Sequence, residues 1–172
     1  WFIGRNELTR LMGSSFTTFQ KVCVFHNIPK EDWSLNGQYH YIQFKNGSRI
    51  DLVDLKFLPS DPMYQRLGSL EYTGGWIEEG GEVVEAAKAN LALSIGRWKN
   101  DQYNLKKKLL ITANPKKGWM KREFVEPFNA GTLPISRKYI QAFATDNVHG
   151  SKDYIESLKN EKDKVRRERL WE

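Results

Sequence analysis

The sequence predicts an α/β domain with an antiparallel hairpin set into it. Three observations point there. Lys108-Leu109-Leu110-Ile111-Thr112-Ala113 holds a continuous apolar run, the mark of a buried strand of parallel type. Leu8, Leu11, Met12, Ser15, Phe16, Phe19, Val22, Cys23 and His26 recur at helical spacing, giving an amphipathic helix of about twenty residues. Residues 39–55 alternate about Asn46-Gly47, the φ > 0 pair of a tight hairpin turn.

The elements follow in order. Residues 1–4 read as a short strand and Arg5-Asn6 as a turn. Asn6 is the N-cap, with Glu7 favourable in the first helical turn. Pro29 ends the long helix. In the hairpin, Tyr39, Tyr41 and Gln43 alternate with His40, Ile42 and Phe44. Arg49, Asp51 and Val53 then alternate with Ile50, Leu52 and Asp54. Asp61-Pro62 opens a turn or short helix that carries Arg66. A buried strand over 70–78 follows and ends in Glu78-Glu79, and Gly80-Gly81 breaks it. A helix covers 82–95, with Gly96 as its C′ residue and Arg97-Trp98 just beyond. Residues 99–107 read as polar loop. The strand at 108–113 stops at Asn114-Pro115. Then come a short helix over 120–128 interrupted by Pro127, a strand at 138–143 and a turn at Asp146-Asn147. Ser151 caps a helix at 152–160, and a charged helix runs from 161 to the end.

The 172 residues fit one domain of ordinary size, and 40% hydrophobic residues with six tryptophans supply a core. A net charge of +6 favours an acidic partner, nucleic acid being the commonest. Part of that excess lies in 162–169. The single cysteine, Cys23, sits among apolar neighbours and reads as a buried, inert thiol. It excludes an intramolecular disulfide and a Cys/His metal centre. His26, His40 and His149 are scattered and receive no chemistry. No apolar run approaches the ~20 residues of a membrane span. Trp1-Phe2-Ile3-Gly4-Arg5 reads as a strand already inside a fold, so the chain reads as a fragment of something longer.

Neighbouring residues of a strand point to opposite faces, so Glu78 and Glu79 cannot do the same job from the same side. At the carboxyl end of a sheet, one acid can hold a metal and the other orient a water, as in a Walker B segment. The alternative is a solvated Glu-Glu pair at a strand end. Glu78-Glu79, Thr112-Ala113-Asn114 and Asp146-Asn147 all sit at predicted strand ends, where open α/β sheets bind ligands. Thr112 and Asn114 can sense a γ-phosphate, or simply make the turn before Pro115. Arg66 and Arg97 are candidates for a guanidinium offered to phosphate, against a surface salt bridge. Lys116, Lys117, Lys121 and Arg122 interleave with Trp119 at a loop-to-helix junction. They can contact a nucleic-acid backbone or form a solvated basic loop. No G-x-x-x-x-G-K-[ST] and no G-x-G-x-x-G occurs in the chain.

The order of these motifs resembles the ATPase domain of the large terminase subunit, the motor that packages DNA in tailed phages. The Ile3-Gly4-Arg5 strand end leads into a long helix, as in the family. Phe44-Lys45-Asn46-Gly47-Ser48-Arg49-Ile50 resembles its hairpin, and residues 66–79 its Walker B region. Leu109-Leu110-Ile111-Thr112-Ala113-Asn114-Pro115 is similar to its coupling motif. Thr145-Asp146-Asn147 with Tyr154-Ile155 resembles a late segment of that domain, and 166–171 the linker to its nuclease domain.

The resemblance implies a RecA-like P-loop core, a mainly parallel sheet flanked by helices, N-terminally truncated so that Walker A is missing. Residues 1–160 would be the later part of the ATPase domain, and 161–172 a charged linker towards an absent nuclease domain. ATP and Mg²⁺ are the implied cofactors. Glu78 would help hold Mg²⁺, with Arg5 beside the cofactor, and Glu79 would orient the attacking water. Thr112 and Asn114 would couple hydrolysis to movement. Arg66, then Arg97, would be the finger acting on the next subunit of a ring. The implied partners are double-stranded DNA, a portal protein and a small terminase subunit. The implied location is the host cytoplasm, docked on the procapsid portal vertex. Departures are Glu78 in place of the usual Asp and His149-Gly150 in place of the usual Pro. The alternative function is a truncated, catalytically incompetent P-loop-like domain that binds DNA or a partner.

Overall fold

The computed structural model describes residues 1–114, 116–164 and 167. They form two compact units, residues 1–113 and residues 114–172.

The first unit is built on one mixed sheet. Its strands are β1 (Phe2–Arg5), β2 (Trp33–Asn36), β3 (Tyr41–Phe44), β4 (Arg49–Asp54), β5 (Gly75–Ile77) and β6 (Leu109–Ile111). Their spatial order is β2-β3-β4-β1-β5-β6. β4, β1, β5 and β6 run parallel, and β2-β3-β4 form an antiparallel flank. The hairpin turns as its sequence requires. Gly47 takes φ 83°, and Asn46 Oδ1 accepts the Ser48 N–H at 2.9 Å. The sequence gives no warning of β2, which pairs Trp33 with Phe44 and Leu35 with Ile42.

The helix α1 spans residues 8–25. Leu8–Leu11 and Thr17–Phe25 are α-helical, and Met12–Phe16 between them is a π-turn. Glu7, not Asn6, holds the N-cap position. Its carboxylate caps no backbone N–H because it pairs with Arg10 Nε at 3.2 Å. Two short helices complete the unit, α2 (Gln65–Gly68) and α3 (Glu85–Ser94). The turn that precedes α3 includes a 3₁₀ segment, Gly80–Glu82. Gly96 follows α3 at φ 81°, but Ile95 before it is extended and the Gly96 N–H donates to Tyr72 O at 2.8 Å, so it does not close the helix as a C′ glycine.

Strand alternation sends successive side chains to opposite faces, and each face has its own core. Ile3 and Leu52 pack with Leu11, Cys23, Trp33 and Ile42 beneath α1. Phe2 and Ile77 pack with Leu55, Tyr64, Leu67, Ala87 and Leu91 beneath α2 and α3. Each fully buried side chain of this size contributes about 1.5–3 kcal/mol of transfer free energy. Burial also raises the Cys23 thiol pKa, in keeping with an inert core residue. Gly75 stands opposite Phe2 in the ladder. A Cβ there would lie 2.1 Å from Phe2 Cε1, so only glycine fits under that ring.

The second unit contains no strand among its described residues. Its helix α4 covers residues 121–129, a π-turn (Lys121–Val125) followed by an α-turn (Glu126–Asn129). Pro127 lies in the first turn of that α-segment, and the wider turn before it accommodates a ring that would strike the carbonyl of an ideal α-helix. α5 (Lys152–Lys159) starts where Ser151 predicts, its Oγ accepting the Tyr154 N–H at 3.2 Å. The strand predicted at 138–143 does not form. Its alternation meets no partner strand, and Ile140 is 73% exposed. Ala144–Asp146 is a 3₁₀ turn, so Asp146-Asn147 does not end a sheet strand. Most of the predicted charged helix and linker at 161–172 lies outside the described residues.

Candidate functional site

The site follows from the phase of β5. Ile77 is fully buried in the core beneath α3, so Glu78 points to the other face, towards α1. Arg5, one residue beyond Gly4 at the end of the neighbouring strand, points the same way. The Glu78 N–H donates to Gly4 O at 2.8 Å and locks the two strand ends together.

The π-turn of α1 meets these two side chains. In an α-helix adjacent residues diverge by about 100°. The wider turn brings both Ser14 and Ser15 to the sheet. Ser15 Oγ donates a short hydrogen bond to Glu78 Oε2. Arg5 Nη1 lies 3.4 Å from the same oxygen and donates to Ser14 Oγ at 2.9 Å. A serine carries one O–H proton. That of Ser14 goes to the Arg10 carbonyl at 2.8 Å, which leaves Ser15 as the hydroxyl donor to Glu78. Arg5 Nε also approaches Glu82 Oε2 at 3.8 Å. Glu82 takes Arg10 at 3.5 Å, and Arg10 takes Glu7. The result is a chain of alternating charges from Glu78 to the surface.

Glu79 is set up in the opposite manner. Its backbone is left-handed, φ 51° and ψ 49°. A non-glycine residue there stores on the order of 1–3 kcal/mol of strain. Its carboxylate has no hydrogen-bond or ion-pair partner among the described residues. The turn it opens is tied to the next strand, since the Gly80 N–H donates to Thr112 O at 2.8 Å. Trp76 Nε1 donates to Thr112 Oγ1 at 2.9 Å. Thr112, at the end of β6, is therefore tied to the Glu79 turn through its carbonyl and to β5 through its hydroxyl.

The other sequence candidates are placed elsewhere. Arg66 donates to Lys56 O at 2.7 Å and pairs with Asp61 at 2.8 Å. Burial alone would raise the Asp61 carboxyl, but the hydrogen bonds from Arg66 and the Gln65 backbone win, and its pKa is lowered. Arg97 lies at the other end of β5. Its N–H donates to Tyr72 O, and its guanidinium pairs with Glu71 at 3.2 Å. Neither arginine reaches Glu79 within this chain. Asn114 opens the second unit. Lys116, Lys117, Lys121 and Arg122 are all exposed there, with Lys121 3.6 Å from Glu126.

No group of three or more His, Cys, Asp or Glu that could hold a metal alone occurs among the described residues. Glu78 has Oε2 clamped and Oε1 without a partner among them. One open carboxylate oxygen suits Mg²⁺, which takes one or two carboxylates and fills its shell with phosphate oxygens and water. Sequence reasoning missed Ser14, Ser15, Glu82 and Trp76. Ser15 was absorbed into the apolar stripe of α1. The available signal was a Ser-Ser pair interrupting that stripe after Gly13.

No family model matches the chain, and no curated protein matches it. Solved structures do. The chain is similar to the large terminase of a thermophilic bacteriophage, at 16% identity and a TM-score of 0.66, over 92% of this chain and 36% of that one. The same terminase in complex with ATP-gamma-S matches at 14% identity and a TM-score of 0.62, over 99% of this chain and 38% of that one. Its complex with ADP gives 14% and 0.63, over 92% of this chain and 36% of that one. The chain thus spans just over a third of the proteins it matches, and it shares their mixed, largely parallel α/β fold.

Proposed function

We propose that this chain is the later part of the ATPase domain of a phage large terminase subunit. In this reading, ATP hydrolysis drives double-stranded DNA into a viral procapsid. The observation that carries it is the split between the two acids at the end of β5: Glu78 held by Arg5 and Ser15, Glu79 held by no described residue. A ligand to a metal needs a fixed oxygen. A group that takes a proton from water needs a free one, within reach of that water. The likeness to large terminase structures, one with ATP-gamma-S, adds weight.

Mg²⁺, when bound with ATP, supplies charge neutralisation at the phosphates. Glu78 would hold it through Oε1 while Arg5 and Ser15 fix Oε2. Glu79 would orient and deprotonate the attacking water. Thr112, tied to the Glu79 turn, would pass a change at that turn to β6 and onward to Asn114. Arg66 or Arg97 would serve a neighbouring subunit of a homo-oligomeric ring. Lys116, Lys117, Lys121 and Arg122 would face DNA. Portal protein and small terminase subunit are the proposed partners, and the portal vertex of a procapsid in the host cytoplasm the proposed location. No helix among the described residues is long and apolar enough to cross a membrane.

A second reading has its own observation: the chain contains no Walker A sequence. It would then bind DNA or a partner subunit without turnover. One experiment separates the two. In the protein that joins this segment to a phosphate-binding loop, Glu79→Gln lowers ATP turnover by about 10²–10⁴-fold and leaves nucleotide affinity unchanged. Turnover that survives the substitution removes Glu79 as the base. A parent protein with no turnover at all favours the binding module.

A further inference from the structure

We infer that the loop at residues 96–108, between α3 and β6, is a preformed site for the phosphate backbone of nucleic acid. Its composition reads as an ordinary polar connection, but its structure is not that of a slack loop. Asn100 is buried at its centre, and its Nδ2 donates to Thr73 O at 3.0 Å and to Leu105 O at 3.1 Å. The Leu105 N–H returns to Asn100 O at 2.8 Å, and Thr73 Oγ1 donates to Trp98 O at 2.8 Å. Lys99 and Asn104 both hold left-handed backbone, φ 57° and 49°. Two strained non-glycine residues and a buried amide are a cost that a spacer does not require.

The lock presents charge. Arg97, Lys99, Lys106, Lys107 and Lys108 face a single carboxylate, Asp101, in a chain whose whole excess is +6. All five are exposed. Arg97 is paired with Glu71, whereas Lys99, Lys106, Lys107 and Lys108 have no carboxylate partner among the described residues. Between them Trp98 and Tyr103 are 52% and 59% exposed, with Lys99 Nζ 5.6 Å from the Trp98 ring. Unpaired lysines on a fixed frame beside exposed aromatic rings form a surface that phosphates and sugars fit. The loop lies at the amino end of β5, where the Gly75 N–H donates to Lys108 O, and Glu78-Glu79 lie at the other end. It shares with the proposed function only the class of partner, and its test involves no ATP.

The test is fluorescence anisotropy of this chain with a labelled DNA duplex of about 30 base pairs and the matching single strand, across a salt series. Each lysine that neutralises one phosphate adds about 0.9 to the slope of log affinity against log salt. Lys99→Glu/Lys106→Glu/Lys107→Glu is expected to lower that slope by about 2.7 and to weaken duplex binding more than tenfold at ~0.1 M salt. A control with the same charge change elsewhere, Lys21→Glu/Lys152→Glu/Lys159→Glu, is expected to lose less than threefold. Asn100→Ala keeps every charge and loosens the frame, so, measured well below its melting temperature, a loss of affinity supports the preformed site and full affinity counts against its being preformed. Equal losses in the loop variant and its control overturn the proposal. So does an unchanged slope, whatever Asn100→Ala does. Binding confined to the single strand, abolished by Trp98→Ala, would also overturn backbone recognition in favour of base stacking.

Discussion

The two ends of β5 are built to different standards. At the amino end the strand is close-packed, although Asn100 Oδ1 in the adjoining loop is buried without a hydrogen bond. Gly75 lies beneath Phe2 with no room to spare, and Tyr72 donates its hydroxyl to Asp51 Oδ2 at 3.0 Å. Asp51 pairs in turn with Arg49. At the carboxyl end Arg5 Nε and Glu82 Oε2 are buried without a hydrogen bond, and Glu79 combines strained backbone with a carboxylate that no described residue holds. The strand is the same, and so are its neighbours. The contrast is between a close-packed, partnered cluster around Phe2 and Tyr72 and a strained, open turn at Glu79.

The largest expected effect falls on the stable end. Gly75→Ala forces a methyl into the Phe2 ring, which is 1% exposed and cannot retreat. Overpacking of this kind costs about 1–3 kcal/mol, and the close contact puts Gly75→Ala at the upper end of that range. Urea denaturation checks it, and an unchanged midpoint would remove the claim that the amino end is tightly built. Tyr72 gives the next effect. Burial first, then the nearby Asp51 carboxylate and its hydrogen bond, raise the phenol well above its ordinary value of 10.0. A raised folded-state pKa means that this contribution is complete below about pH 10 and is lost as pH climbs towards the folded value. Burial raises the Tyr64 phenol as well, so tyrosinate absorbance during alkaline titration should show two of the seven tyrosines, Tyr64 and Tyr72, ionising late, and replacing Tyr72 by Phe should remove one of them.

The smallest effect belongs to the site itself. Ser15→Ala removes one hydrogen bond to a charged, part-buried carboxylate, which puts it near the lower end of about 1.5–3 kcal/mol. In the ATPase proposed above, it should raise the Mg²⁺ concentration needed for half-maximal turnover while the KM for nucleotide holds. Ser15→Thr, which keeps the hydroxyl, should restore it. A fall in turnover that no Mg²⁺ concentration relieves would place Ser15 in the packing and not in the hold on Glu78.

Local chemistry made much of the fold readable. Asn46-Gly47 fixed the hairpin, Ser151 the start of α5, and the apolar stripe the course of α1. Where the pattern depended on a distant partner, it misled. Residues 138–143 alternate like a strand and find no neighbour, while the short Trp33–Asn36 segment becomes one because β3 offers an edge. The two acids were visible as a pair on opposite faces, with separate roles implied by the resemblance, yet the difference in their contacts was not. It arises from a π-turn and from the register of β1 with β5, neither of which leaves a mark on the residues 78 and 79 themselves.

The central claim, that the carboxyl end gives up stability for chemistry, is tested most directly by Glu79→Gly. Glycine adopts left-handed backbone at no steric cost, so the substitution relieves the strain at φ 51°. The account predicts a chain that is more stable by about 1 kcal/mol and, in the protein with its phosphate-binding loop, has no measurable ATP turnover. A variant that is no more stable than the parent and still turns over ATP would contradict it.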